Sequence, residues 1–211
     1  MCGRYTASHD TDEVLELLGD SVVLASRADW SPRYNIAPSQ YGLLIAQIDD
    51  AELHLCTMRW GLIPSWAKDK KIGSNLINAR LETVKEKPSF RAAYKRRRCL
   101  VVADGYYEWA KLDDKKQPFY IQSESSPLMT FAGLWESWHS PQDEHILSYS
   151  IITTAANNAL TKVHHRMPLI VPPQYRGLWV NNSNERPEID ALLDTAANDT
   201  FAVNPVSTYV N

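Results

Sequence analysis

"CLVVADGYYEWA" (99–110) consists of two short extended segments and the break between them. Cys99–Ala103 is an apolar run with paired valines, and Tyr106–Ala110 is dense in aromatics. Both compositions suit a pleated, packed surface. Asp104-Gly105 between them tolerates left-handed backbone, so the spacing predicts a tight hairpin. Downstream, "PFYIQ" (118–122), "LMTFAGLW" (128–135) and "LSYSIITT" (147–154) read as further strands. Upstream, "YGLLIAQIDDAELHLCTMRWGLI" (41–63) reads as two strands around an Asp49-Asp50 turn. In the second of these, Leu53, Leu55 and Thr57 alternate with His54, Cys56 and Met58, the period of a strand.

Helices lie mostly outside this run. "DTDEVLELLGD" (10–20) has Asp10 or Thr11 as cap, Val14, Leu17 and Leu18 on one face, and Gly19 as terminator. "AANNALTKV" (155–163) and "RPEIDALLD" (186–194) read as short helices. Consecutive strands flanked by few helices predict an α+β fold around an antiparallel sheet that curls towards a barrel. There is no internal repeat, low-complexity tract or long linker, so one domain over 1–211 is expected.

Hydrophobic residues make up 44% and charged residues 22%, a soluble globular mixture. No apolar run approaches the roughly 20 residues that span a bilayer, and the N-terminus lacks the apolar core of a signal peptide. Cys2, Cys56 and Cys99 show no CxxC spacing, which argues against a disulfide framework or a zinc site and fits a reducing cytoplasm. The net charge of −3 hides an asymmetry. Met58–Arg98 holds 12 Lys/Arg against 3 Asp/Glu, a balance of +9, and the remainder carries −12. A basic island on an acidic chain suits one face meeting a polyanion, although "KRRR" (95–98) also reads as a solvated charge run.

Several stretches hold residues suited to chemistry. In "NLINARLET" (75–83), Asn78 and Arg80 share a face if the segment is extended. Glu108 lies among Tyr106, Tyr107 and Trp109; it is either an outward-facing strand glutamate or a desolvated carboxylate fit for general acid work. "VHHRMP" (163–168) offers two histidines that would point oppositely in a strand, so one faces a site or both are structural. His54, His139 and His145 have no ligand-like spacing to this pair, so no metal is expected. Trp60 reads as core; Trp66, before a lysine run, is the better platform for stacking on unpaired bases. Cys2 would become N-terminal once Met1 is removed, and would then carry a thiol and a free amine on adjacent carbons.

In order, "MCGRYT", "RYNIAPSQ", "RWGLIPSWAKD", "LINARLET", "KPSFR", "RCLVVADGYYEW", "FAGLWESW", "SIITTAAN", "VHHRMPLIV" and "PVSTYVN" resemble the SOS-response-associated peptidase (SRAP) family, the abasic-site shielding proteins. Chains of that family continue somewhat beyond "PVSTYVN", so a shortened C-terminal end is expected. The resemblance implies a curved, barrel-like antiparallel sheet with peripheral helices, and a monomer without cofactor that works in the cytoplasm on abasic single-stranded DNA. It implies catalytic roles for Cys2, Asn78, Glu108 and His164, not His165. It also implies DNA contacts at Arg4, Arg80, Thr153 and Arg166, with Trp66 near the nucleotide.

On that reading the Cys2 amine, with an ordinary pKa of about 7.7–8.0, attacks the aldehyde of an opened abasic sugar. The thiol then closes a five-membered thiazolidine, with Glu108 as acid, His164 assisting and Asn78 orienting the amine. Two other readings fit the letters: a cysteine hydrolase with His164 as base, and a non-catalytic single-strand-binding module.

Overall fold

A computed structural model describes residues 2–48, 52–112, 115–182 and 200–210. Among these residues thirteen strands run in chain order: β1 (Arg4–Ala7), β2 (Leu24–Arg27), β3 (Arg33–Ile36), β4 (Tyr41–Ala46), β5 (Leu53–Trp60), β6 (Asn78–Arg80), β7 (Arg98–Ala103), β8 (Gly105–Leu112), β9 (Lys115–Ser123), β10 (Met129–His139), β11 (His145–Ala155), β12 (Arg166–Pro168) and β13 (Phe201–Pro205). Three α-helices accompany them among the described residues: α1 (Thr11–Leu18), α2 (Arg91–Arg96) and α3 (Arg176–Val180). The predicted α+β class is what forms.

β11, β10, β7, β4 and β5 pair in that order, and β5 pairs back onto β11, so five strands close into a barrel. The closing β5–β11 contact is parallel, as are β2–β5 and β6–β11; the remaining pairings are antiparallel. Closure of a ring of five strands needs one parallel neighbour pair, because directions cannot alternate around an odd number. A second sheet, ordered β13-β9-β8-β1-β3, is antiparallel throughout. Its inward residues Tyr5 and Tyr106 meet Trp60 and Phe131 from the barrel edge-on, with ring centroids 5.2–6.2 Å apart. This aromatic layer joins the two sheets.

Asp104-Gly105 is not a hairpin. β7 pairs with β4 and β10 in the barrel, whereas β8 pairs with β1 and β9 in the second sheet. The dipeptide is where the chain crosses between sheets. Asp104 accepts hydrogen bonds from the Ser8 backbone N–H (3.0 Å) and hydroxyl. A Cβ at residue 105 would stand 2.3 Å from the Tyr120 ring, so glycine is needed there for close approach.

α1 begins at Asp10, whose carboxylate accepts from Glu13 N–H while Glu13 reaches back, and stops at Gly19. "AANNALTKV" is not a helix: Ala155 ends β11, and the rest forms turns in which Thr161 N–H and His164 N–H bond to the carbonyls of Asn157 and Leu160. "RPEIDALLD" and Asp49-Asp50 lie outside the described residues. No helix among the described residues is long and apolar enough to cross a membrane.

Candidate functional site

The register of β1 on β8 builds one wall of the site. Arg4 pairs with Tyr107 and Tyr5 with Tyr106, so the start of the chain runs back along β8 towards Glu108. β11 builds the other wall. Ile151 faces Gly133 of β10 on one edge and Asn78 of β6 on the other. Two residues on, Thr153 faces Arg80 of β6 and Pro168 of β12. Beyond the β10–β11 ladder, which stops at Gly133–Ile151, β12 takes over one edge of β11, and β6 follows β5 on the other; together they carry Asn78 and the His164 segment to the start of the chain.

Asn78 is half-buried, and its Nδ2 donates to the Cys2 carbonyl at 2.8 Å. Its Oδ1 is buried and has no hydrogen-bond partner among the described residues, an arrangement that costs free energy unless something donates there. Glu108 is 2% exposed. The outward-facing reading of this glutamate is therefore overturned: in β8 the half-buried positions are Tyr107 and Trp109, while Tyr106 and Glu108 turn inward.

Glu108 Oε1 lies 3.3 Å from His164 Nδ1. Burial pushes the Glu108 carboxyl above its ordinary range and pulls His164 below its own, so both groups are driven towards their neutral forms. With the ring neutral, Nδ1 accepts the Arg166 N–H at 2.9 Å, which assigns the ring proton to Nε2. With Nδ1 protonated, Glu108 Oε1 and the Arg166 carbonyl (3.2 Å) stand ready as acceptors. Either state of the ring finds partners, as a group that takes up and returns a proton requires.

Cys2 is 1% exposed, and Sγ donates a long, weak bond to the Arg4 carbonyl at 3.9 Å. Burial, reinforced by Glu108, raises the thiol well above its ordinary value, so it stays protonated at neutral pH. His165 is exposed, its ring stacked on His164 with centroids 4.3 Å apart. The two rings therefore do not point oppositely, because the pair lies in a turn rather than in a strand.

The remaining expected site residues fall into two groups. Arg80 and Trp66 are exposed, Trp66 at 59% from a turn closed by Ala67 N–H on the Pro64 carbonyl. Arg4 is half-buried, with NH1 on Asn35 Oδ1 (3.2 Å) and the Val210 carbonyl (3.4 Å). Thr153 is buried. Arg166 is 9% exposed, with both terminal nitrogens on the Glu82 carboxylate and one also on the Thr153 carbonyl. Sequence reasoning passed over Glu82, although 78, 80 and 82 alternate in one motif. No group of three metal-ligating side chains occurs among the described residues.

The SOS response associated peptidase (SRAP) model matches residues 1–211. The chain belongs to the SRAP family. It is 41% identical to the abasic site processing protein YoqW of Bacillus subtilis strain 168, covering all of this chain and 94% of that one. It is 34% identical to YedK of Escherichia coli K12, also named an abasic site processing protein, covering 98% and 92%. Among solved structures, a Bacteroides thetaiotaomicron protein superposes with a TM-score of 0.84 at 26% identity, covering 98% and 93%.

Proposed function

We propose that this SRAP protein recognises abasic sites in single-stranded DNA and caps them covalently through Cys2 once Met1 has been removed. The observation that carries this reading is the meeting of Asn78, Glu108 and His164 at Cys2, in a family whose relatives are named for abasic site processing. The freed Cys2 amine adds to C1′ of the open-chain aldehyde, and water leaves to give an imine. The thiol then adds across the C=N bond, its proton passing to nitrogen, and a thiazolidine forms. Asn78 Oδ1 is available to accept from the amine and orient it without protonating it. Protonated Glu108, backed by His164, supplies the proton that opens the sugar ring. The thiol is protonated until it reacts, so the amine leads and the sulfur follows. Removal of Met1 is assigned to this same site as a single self-cleavage, which accounts for the peptidase in the family's description.

An unpaired abasic nucleotide costs least to seat in such a pocket, which favours single strands. Arg80 is assigned to the backbone phosphates and Trp66 to stacking beside the lesion.

The test is a denaturing gel with an abasic oligonucleotide and three proteins, each N-terminus confirmed by mass spectrometry. The processed protein should give a stable adduct. One carrying an uncleavable residue before Cys2 should bind but give none, because an amide nitrogen has no lone pair to offer. Cys2→Ser with a free amine should give an imine that borohydride traps. Equal crosslinking by the blocked protein sinks the mechanism.

A further inference from the structure

β6 and β12 are three residues each, and among the described residues both are paired to β11 and not to one another. Such short ladders fix position weakly. Glu82 stands two residues beyond β6, in a turn closed by Thr83 N–H on the Arg80 carbonyl at 3.1 Å. Arg166 opens β12, two residues beyond His164. NH1 and NH2 of Arg166 meet the two oxygens of Glu82, and NH2 also reaches the Thr153 carbonyl. That same carbonyl accepts Leu81 N–H at 3.0 Å. The result is a tie across β11 from one flanking strand to the other.

We infer that Glu82 is a positioning residue: it holds Arg166 across β11 and thereby sets where His164 stands relative to Asn78 and Cys2. This inference rests on the proposed role of the site. Residue 166 is the mechanical link, since its backbone N–H caps His164 Nδ1 at 2.9 Å while its guanidinium is pinned by Glu82. Freeing the guanidinium lets residue 166 rotate, and the N–H that selects the His164 tautomer rotates with it. A lone half-exposed carboxylate contributes little to stability, but a two-point fork on a nearly buried guanidinium fixes orientation. The charged or titratable groups facing His164 are the amino terminus of the chain, Glu108 from β8, the stacked His165, and Arg166.

Glu82→Gln and Glu82→Asp test the inference, in both the wild-type and the His164→Ala background. Four readouts serve: the single-turnover adduct rate at saturating abasic DNA, binding to an intact strand, an NMR titration of the His164 imidazole without DNA, and thermal melting. Glu82→Gln should lower the saturated rate about tenfold and leave intact-strand binding within twofold. It should also move the His164 titration. Glu82→Asp should fall between, and it carries the test if the Gln variant fails to fold. In the His164→Ala background, Glu82→Gln should slow nothing further. An unchanged rate and His164 titration would overturn the inference, as would slowing that persists without His164. So would tighter intact-strand binding with a steeper salt dependence, since Glu82 would then be competing with phosphate for Arg166. If the wild-type protein forms no adduct, the proposed function fails, and the DNA-free titration still decides the fate of the clamp.

Discussion

A proton on Glu108, which the proposed mechanism uses to open the sugar, also spares the fold the cost of a buried anion. Its carboxyl is raised by burial above the ordinary 4.5, so between those two values the folded chain binds more protons than the unfolded one. Stability contributed by the protonated carboxyl is therefore present at low pH and lost as pH rises through the folded value. Glu108→Gln has no anion to bury. It should melt above wild type at neutral pH and level with it near pH 4, while its adduct rate falls because an amide delivers no proton. A melting temperature unchanged at every pH would remove the buried-anion argument. His164 runs the other way: lowered from 6.5 by burial, it loses stability as pH falls, because the unfolded chain takes the proton first. The sequence offered Glu108 as a candidate but left its direction open. In β8 the polar side chain points in and two large aromatics are half-exposed, the reverse of what alternation suggests. Glu82 went unnoticed because its partner, Arg166, lies 84 residues away.

At the scale of elements, the long strands were legible and the short ones were not. β7, β9, β10 and β11 carry enough apolar or aromatic residues to declare themselves. β6 and β12 exist because β11 extends beyond its ladders with β10 and β5 and so leaves both edges to be paired, a fact of tertiary structure. The Asp104-Gly105 signal misled for a related reason: the residues that make hairpins also serve a side-chain cap and a tight ring contact. The segment bearing Trp66 follows the same logic. Gly61 has φ +112°, and a Cβ there would lie 2.7 Å from the Gly73 carbonyl, so two backbones touch at the base of this loop. Gly61→Ala should destabilise the protein by about 1–3 kcal/mol through backbone strain and displace the loop. Denaturant melts would show the loss, and Trp66 would lose effect on binding to an intact strand. Wild-type stability in this variant would mean that the loop tolerates separation of its base.

Over the whole molecule, the basic island divides between surface and interior. Lys68, Lys70, Lys71, Arg80, Lys85, Lys87, Arg91, Lys95 and Arg96 are exposed, whereas Arg97 turns to Glu136 and Arg98 is fully buried. Arg98 donates from Nε to the Trp179 carbonyl (2.8 Å), from NH1 to Tyr94 (3.1 Å) and from NH2 to Asn181 (2.5 Å). It ties α2 and α3 to β7. "KRRR" is thus half solvated run and half structural bolt, a split that charge counting along the chain does not reveal. The two halves should respond oppositely to substitution. Arg80→Ala should keep its melting temperature and weaken binding to intact and abasic strands alike. The slope of log affinity against log salt should become shallower by about 0.7, one single-strand phosphate contact. Arg98→Met should leave that slope alone and cost about 3 kcal/mol or more, because two buried carbonyls and a partly buried third lose their donors together. Salt titrations by fluorescence anisotropy, paired with denaturant melts of both variants, separate the two outcomes. A reduced salt slope in folded Arg98→Met, or a large loss of stability in Arg80→Ala, would reverse the division of the island drawn from burial.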